Sequence, residues 1–155
     1  MKIDQITSIF QCLMDTTRLR AVKLLINAAE YDVREVCVGD FVLSLVEPQY
    51  NISKQLKILE LACVLTSRKQ GRNVYFSLAR GSLVDRLFVL IEELPDSEHV
   101  FVKDFKNLNA VLESEEESRG SKVRVKIRDQ YAEVKSPVVS PPRELQEMDL
   151  PSNLL

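Results

Sequence analysis

One segment in the middle of the chain constrains the fold more than any other. Ile52, Leu56 and Leu59 recur at positions i, i+4 and i+7, which predicts a helix over about residues 48–61 with a single apolar stripe. Proline is best tolerated in the first turn of a helix, so Pro48 indicates where this helix begins. The other faces carry amide, hydroxyl and basic side chains. The helix therefore buries one side and leaves the rest for solvent or a polar partner.

A β-hairpin is predicted directly after this helix. Residues 64–68 and 74–78 are rich in β-branched and aromatic side chains, and the polar stretch 70–73 between them contains Gly71. This pattern predicts two antiparallel strands joined by a tight turn.

Four further apolar patterns predict helices around this unit, over residues 3–14, about 15–27, 40–46 and 82–94. The last of these is apolar over a wide surface, which indicates that it packs against more than its own small domain. The order of helix, helix, short helix, polar-faced helix and hairpin predicts a mainly α fold with a small β-hairpin, a winged helix-turn-helix.

The composition changes after Pro95. We predict a domain over residues 1–96 and a C-terminal extension over residues 97–155. The extension is expected to add a helical turn or two between residues 100 and 112. It is then expected to be largely disordered, because four prolines follow Ser136.

Bulk composition argues against several classes of protein. The chain has 155 residues, and no run approaches the roughly 18 apolar residues that span a membrane. The first residues lack the basic and then apolar pattern of a signal peptide, so we expect a cytoplasmic protein that does not enter a membrane. A single histidine, no phosphate-binding glycine loop and no catalytic-triad spacing argue against an enzyme.

Positive charge is concentrated in the polar-faced helix and the hairpin. The whole chain has a net charge of -2, but six basic residues oppose one acid between residues 54 and 80, a local charge of +5. The major groove of B-DNA, about 12 Å wide, admits one helix, and cations bind the phosphates. We therefore predict binding of double-stranded DNA, with amides and hydroxyls near base edges and basic side chains on phosphates. The candidate DNA-binding residues are Gln49, Tyr50, Asn51, Ser53, Lys54, Gln55, Lys57, Arg68, Lys69 and Arg72. The alternative is a winged-helix protein-interaction module without sequence-specific DNA binding.

Two stretches resemble the ArsR/SmtB family of dimeric winged-helix repressors. FQCLMDTTRLRAVKLL is similar to the opening of that family, and NISKQLKILELACVLTSRKQGRNVYFSL is similar to its recognition helix and wing. The two motifs are in order and correctly spaced, and the resemblance covers about residues 5–95. It implies a homodimer joined largely by the first and last helices of this region. It also implies repression through an operator from which an effector releases the protein.

The resemblance also assigns individual positions. Ser53 and Lys54 fall on the Ser and basic positions of the recognition motif, and Asn51 falls on its Thr position. Gln55 replaces a frequent histidine, so the preferred operator is expected to differ. Cys63 replaces the usual glycine after the recognition helix. Because glycine suits a left-handed helix end and cysteine does not, we expect the chain to be re-routed there.

The three cysteines do not identify the effector. The family's metal-sensor loop carries a Cys-x-Cys pair where this chain has Cys37 and Gly39, and one thiolate does not hold a soft metal tightly. The zinc-type site of the family is not matched either, because His99 lies beyond the last helix. The alternatives are thiol oxidation or persulfide chemistry, a nonstandard site for arsenite or another soft metal ion, and no ligand at all. The candidate thiols are Cys12, Cys37 and Cys63, each of which is otherwise read as an inert small side chain.

Overall fold

The computed structural model describes residues 2–119, with side chains as far as residue 115. The late part of the predicted extension lies outside these residues. The described residues belong to one compact unit of helices with a small sheet. Its elements are α1 (Ile3–Leu13), α2 (Thr16–Glu30), β1 (Val36–Cys37), α3 (Val38–Leu45), α4 (Gln49–Leu61), β2 (Leu65–Gln70), β3 (Asn73–Leu78), α5 (Ser82–Glu92) and α6 (Val100–Arg119).

Helix α2 is the centre of the fold and contacts all five other helices. It begins where the sequence predicts, because the Asp15 carboxylate accepts a hydrogen bond of 3.0 Å from the backbone N–H of Arg18. The predicted stripe of α4 is confirmed, since Ile52, Leu56 and Leu59 are all buried. Helix α4 packs by this stripe against α2 and α3, which fixes the direction of its polar faces.

The predicted hairpin is confirmed, and it belongs to a sheet of three strands in the order β1-β3-β2. Pairing of Gln70 with Asn73 closes a two-residue turn. Gly71 takes the first turn position with a φ of 61°, where a type II′ turn needs a positive φ. The sequence did not predict β1, which pairs Cys37 with Tyr75 in the antiparallel direction. Two residues are too short to give a recognisable alternating pattern.

The starts of α3 and α4 differ slightly from prediction. Helix α3 begins at Val38, because Cys37 and Asp40 exchange the hydrogen bonds of a capping box at its N-terminus. Pro48 lies just before α4, at its N-cap position, with extended backbone. Between the two helices Val46 adopts a left-handed conformation, with a φ of 55°, and ends α3 sharply.

The helix expected as a turn or two near residues 100–112 is α6, which has 20 residues. Its buried side packs on α2 and α3 through Phe105 and Leu108, and Asp104 lies on the same side with 2% of its surface exposed. A buried carboxylate interrupts the apolar pattern, so the sequence predicts too short a helix here. Packing therefore continues past the predicted boundary at residue 96, and the two-domain division itself stays a prediction.

The expected re-routing at Cys63 is wrong. Cys63 adopts the left-handed conformation with a φ of 59°, although it is not glycine. Its backbone N–H donates to the carbonyl of Glu60 (2.9 Å), and the N–H of Val64 donates to the carbonyl of Leu59 (3.0 Å). These are the two hydrogen bonds of a Schellman motif. They satisfy the end of α4 and hold the cysteine in a conformation that its Cβ disfavours.

Among residues 2–119, no helix combines the length and the apolar character that crossing a membrane requires.

Replacement of Cys63 by glycine is expected to stabilise the fold. The left-handed conformation costs a residue with a Cβ roughly 1–2 kcal/mol, and the greater freedom of glycine in the unfolded chain offsets about 0.4–1 kcal/mol of the gain. We expect the free energy of unfolding to rise by about 0.5–1 kcal/mol in urea titrations. Cys63→Ser keeps the Cβ and serves as the control, with no expected change. Equal stability of the glycine and serine variants would contradict this account.

Candidate nucleic-acid interface

Helix α4 presents an uncovered polar surface on the side opposite its buried stripe. Tyr50 is 78% exposed and lies in the first turn. Ser53 and Lys54 follow one turn later, and both are exposed. Gln49 and Lys57 are exposed as well. The structure thus brings five of the predicted residues onto the accessible part of α4.

Two other predicted residues of α4, Asn51 and Gln55, lie on its flank and are half-buried. Gln55 donates a hydrogen bond of 3.2 Å to the side-chain oxygen of Asn51, and its own oxygen accepts one of 2.6 Å from Arg18. Asn51 in turn donates to the carboxylate of Glu47 (3.1 Å). Both amides are therefore engaged within the protein. The prediction that they read base edges stays a prediction.

The tip of the hairpin carries two exposed cations. Lys69 and Arg72 lie on either side of the turn at Gly71, and both side chains are exposed. Because the glycine supplies the positive φ, the strands close in two residues and the cations stay at the tip.

Arg68 lies further down the hairpin and is already paired. Its guanidinium donates to both carboxylate oxygens of Glu35 (2.6 and 3.2 Å) and to the side chain of Gln70 (2.9 Å). It also lies over the ring of Tyr75, 5.4 Å from the centroid. The hydrogen bonds from Arg68 lower the pKa of Glu35. Sequence reasoning did not find this partner, since 33 residues separate the two and no local pattern connects them.

Lys57 is paired in the same way. Its ammonium group lies 2.7 Å from the carboxylate of Glu60, one turn along α4. Ser67 donates a hydrogen bond of 2.5 Å to the same carboxylate. The bond from Lys57 is the main cause of a lowered pKa of Glu60. This carboxylate therefore links α4 to β2 and neutralises one predicted phosphate contact.

The structure divides the predicted cations into two groups. Lys57 and Arg68 are held by acids, while Lys54, Lys69 and Arg72 form no ion pair within the described part of the chain. A phosphate approaching this surface meets the second group without first displacing a carboxylate.

Comparison with known proteins now identifies the family. The chain is 30% identical over 94 residues to a Synechocystis sp. protein named transcriptional repressor SmtB homolog, over 61% of this chain and 67% of that protein. This chain belongs to the ArsR/SmtB family. Members of the ArsR/SmtB family are DNA-binding transcriptional regulators, which is the class that the surface of α4 and the hairpin fits. A scan against models of protein families gives no match.

The chain is also similar to solved structures. HlyU from Vibrio cholerae N16961 matches with a TM-score of 0.50 and 19% identity, over 59% of this ArsR/SmtB-family chain and 94% of its own. A homodimeric winged helix-turn-helix DNA-binding domain from Mycobacterium bovis, of a possible ArsR-family transcriptional regulator, matches with a TM-score of 0.49 and 24% identity. That match covers 58% of this chain and 77% of the other.

The three thiols of this ArsR/SmtB-family chain lie in different environments. Cys12 is buried in α1, and this burial raises the pKa of its thiol to about 11. Cys37 is half-buried at the start of α3, and burial raises its pKa as well. Cys63 is exposed. No group of three or more His, Cys, Asp or Glu side chains suited to a metal ion occurs in the part of the chain that the structure describes.

Gly39 leaves free space beside Cys37. A Cβ built on Gly39 would lie 3.7 Å from the Sγ of Cys37, an ordinary van der Waals contact. The family's metal-sensor loop has its second cysteine at this position. The first turn of α3 therefore has room for a Cβ at position 39, although the sequence does not supply a thiol there.

We expect the thiols of the folded protein to react with iodoacetamide in the order of their exposure. Cys63 should be alkylated first, Cys37 more slowly, and Cys12 only after unfolding, because burial both blocks access and disfavours the thiolate. Peptide mapping by mass spectrometry against time gives the three rates. Because the pKa of Cys37 is raised, its alkylation rate should increase over a higher pH range than the rate of a cysteine with the ordinary pKa. Alkylation of Cys12 at the rate of Cys63 would contradict the order.

Proposed function

We propose that this protein is a transcriptional repressor that binds a double-stranded DNA operator as a homodimer. In this proposal α4 is the recognition helix in the major groove, and the β2–β3 hairpin is the wing on the flanking phosphates. The observation that carries the proposal is the exposed polar face of α4 with Lys54, beside a wing tip with Lys69 and Arg72, all three outside any ion pair in the described residues.

The division of labour follows from the environment of each side chain. Ser53 and Lys54 project from the middle of the exposed face, so they are the residues that meet base edges and the nearest phosphates. The wing cations hold phosphates and carry no sequence information of their own. Lys57 and Arg68 join them only where DNA competes with Glu60 and Glu35.

The homodimer is supported by apolar side chains that the single chain leaves in solvent. Such side chains occur on one face of α1 and on α5, the two helices that the family resemblance assigns to dimerisation. Exposed apolar groups at helical spacing on two helices indicate a protein–protein contact. They are Ile3 and Phe10 on α1 with Met14 just after it, and Val89 and Leu90 on α5 with Leu94 just after it. A twofold dimer presents two copies of α4 and therefore binds two half-sites of a palindromic operator.

Release by an effector is part of the proposal, with the thiols as its candidate sensors. An oxidant or persulfide reaches Cys63 first, since this side chain is exposed and lies at the end of the recognition helix. A soft metal ion would need thiols that the single chain does not gather into one site within the described residues.

Replacement of Arg72 by alanine tests the DNA-binding function. We expect weaker binding to random and preferred duplexes by the same factor, because a phosphate contact carries no sequence information. The slope of log K against log salt should fall in magnitude by about 0.9 for each protomer, or about 1.8 for the dimer. Fluorescence anisotropy at several salt concentrations measures both quantities.

Lys106→Ala is the matched control for this experiment, since Lys106 is an exposed cation of α6, away from α4 and the wing. Its slope should equal that of the wild type. Absence of salt-dependent binding by the wild-type protein would overturn the repressor proposal in favour of the protein-interaction module.

Replacement of Leu90 by glutamate tests the dimer. Leu90 is 64% exposed in the single chain, and a carboxylate at the dimer contact would be desolvated without a partner. We expect sedimentation equilibrium to give a dimer for the wild type and a monomer for the variant. Leu43→Glu is the control, because Leu43 is 58% exposed on α3, and this variant should remain a dimer. A monomeric wild type, or dissociation of both variants, would contradict the proposed contact.

A further inference from the structure

The C-terminal helix α6 is fastened by a buried ion pair close to the helix-turn-helix. Both carboxylate oxygens of Asp104 accept hydrogen bonds from the guanidinium of Arg20, at 2.8 and 2.7 Å. The same guanidinium donates to the carbonyl of Leu45 in the last turn of α3 (2.9 Å). Asn107 of α6 donates to the neighbouring carbonyl of Ser44 (2.9 Å). Side chains of α2 and α6 thus occupy the end of the helix that leads into α4.

A line of polar contacts continues from this ion pair onto α4. Glu47, in the turn before α4, lies 3.9 Å from Arg20 and accepts the hydrogen bond of Asn51 described above. Gln55 bonds to Asn51 and accepts from Arg18. We call this line the polar chain. It consists of Asp104, Arg20, Glu47, Asn51, Gln55 and Arg18.

The spacing of the polar chain suits a positioning role. Asn51 and Gln55 are four residues apart on one flank of α4, and Glu47, in the turn before α4, precedes Asn51 by four residues. Both arginines come from α2, two residues apart, and Arg18 also donates to the backbone carbonyl of Cys12. The flank of the recognition helix is therefore hydrogen-bonded to α2 at Gln55, in the middle of α4, and an ion pair of 3.9 Å links Glu47, just before α4, to Arg20.

The same bonds argue against base reading by the two amides. Recognition of adenine by Asn or Gln uses the amide nitrogen and oxygen together. In Asn51 both groups are engaged, with Glu47 and with Gln55, and in Gln55 both are engaged, with Asn51 and with Arg18. Each amide keeps one further N–H and one further lone pair, but the internal hydrogen bonds fix its orientation and compete with a paired contact to adenine.

We propose that Asn51 and Gln55 are positioning residues, and that through the polar chain helix α6 sets the placement of the recognition helix on DNA. This inference rests on the proposed function. Readout then falls to the exposed face of α4, and the anchoring of α6 at Asp104 becomes a determinant of DNA affinity although it touches no DNA.

A double-mutant cycle between Asp104, at one end of the polar chain, and Gln55, next to its other end, tests the inference. Asp104→Asn and Gln55→Ala are measured singly and together for affinity to a duplex selected from random sequence by the wild-type protein. The DNA affinity of each single variant is expected to be lower than that of the wild type by a factor of about five or more. The double variant should bind more tightly than the product of the two effects predicts, because the first change already disconnects the second. The control cycle pairs Lys103→Ala, an exposed cation of α6, with Gln55→Ala, and should be multiplicative.

Base preference supplies a second, independent readout. Asn51→Ala should weaken binding to selected and random duplexes by the same factor and leave the preferred base at every position unchanged. Relaxed preference at one position would show that Asn51 reads a base and would overturn the inference. Multiplicative effects in the Asp104 and Gln55 cycle would overturn it as well.

Stability and function are kept apart by two further measurements. If Asp104→Asn lowers the melting temperature below the range of the binding assay, Glu47→Gln replaces it in the cycle. This variant keeps the shape of the side chain and an acceptor for Asn51 but loses the attraction to Arg20. A wild-type protein that does not bind DNA with a salt dependence would remove the proposed function itself. If the wild-type protein binds DNA but the variants show neither coupling in the cycle nor an equal loss of affinity for all duplexes, only this inference is removed.

Discussion

The pairing of Arg20 with Asp104 is the interaction on which the arrangement of the helices depends. A carboxylate with 2% of its surface exposed is tolerated only with a charged partner and satisfied hydrogen bonds, and the fork of one arginine supplies both. The pair joins α6 to α2, and the Nη2 of Arg20 that donates to Asp104 also donates to the carbonyl of Leu45. Helix α3 has only eight residues, too few to be stable alone, so its position follows from these neighbours. Since α3 leads directly into α4, the direction of α4 follows as well.

The parts of the fold that could be predicted are those written in local patterns. The spacing of Ile52, Leu56 and Leu59 defines α4, and Gly71 between two β-rich runs defines the wing. Asp104 shows why the rest could not be predicted. It resembles a surface residue, interrupts the apolar pattern of α6, and finds its partner 84 residues away in the sequence. Long-range polar contacts of this kind leave no periodic trace.

The candidate interface shows the same division. Its outline could be predicted from the excess of basic residues around Lys54 and Arg72. The sequence could not show which cations are free to bind phosphate. Glu35 lies in a segment predicted as loop, and yet it pairs with Arg68 across β3. The left-handed Cys63 is a third case. The preference for glycine at this position predicted that the backbone would follow a different path. The two hydrogen bonds that close the end of α4 outweigh the strain that one Cβ causes.

Gly39 has a consequence for the number of thiols at the start of α3. A Cβ at this position would lie at ordinary contact distance from the Sγ of Cys37, so the folded backbone has room for it. A cysteine at position 39 would place two thiols, separated by one residue, at the start of α3, where the present chain has one.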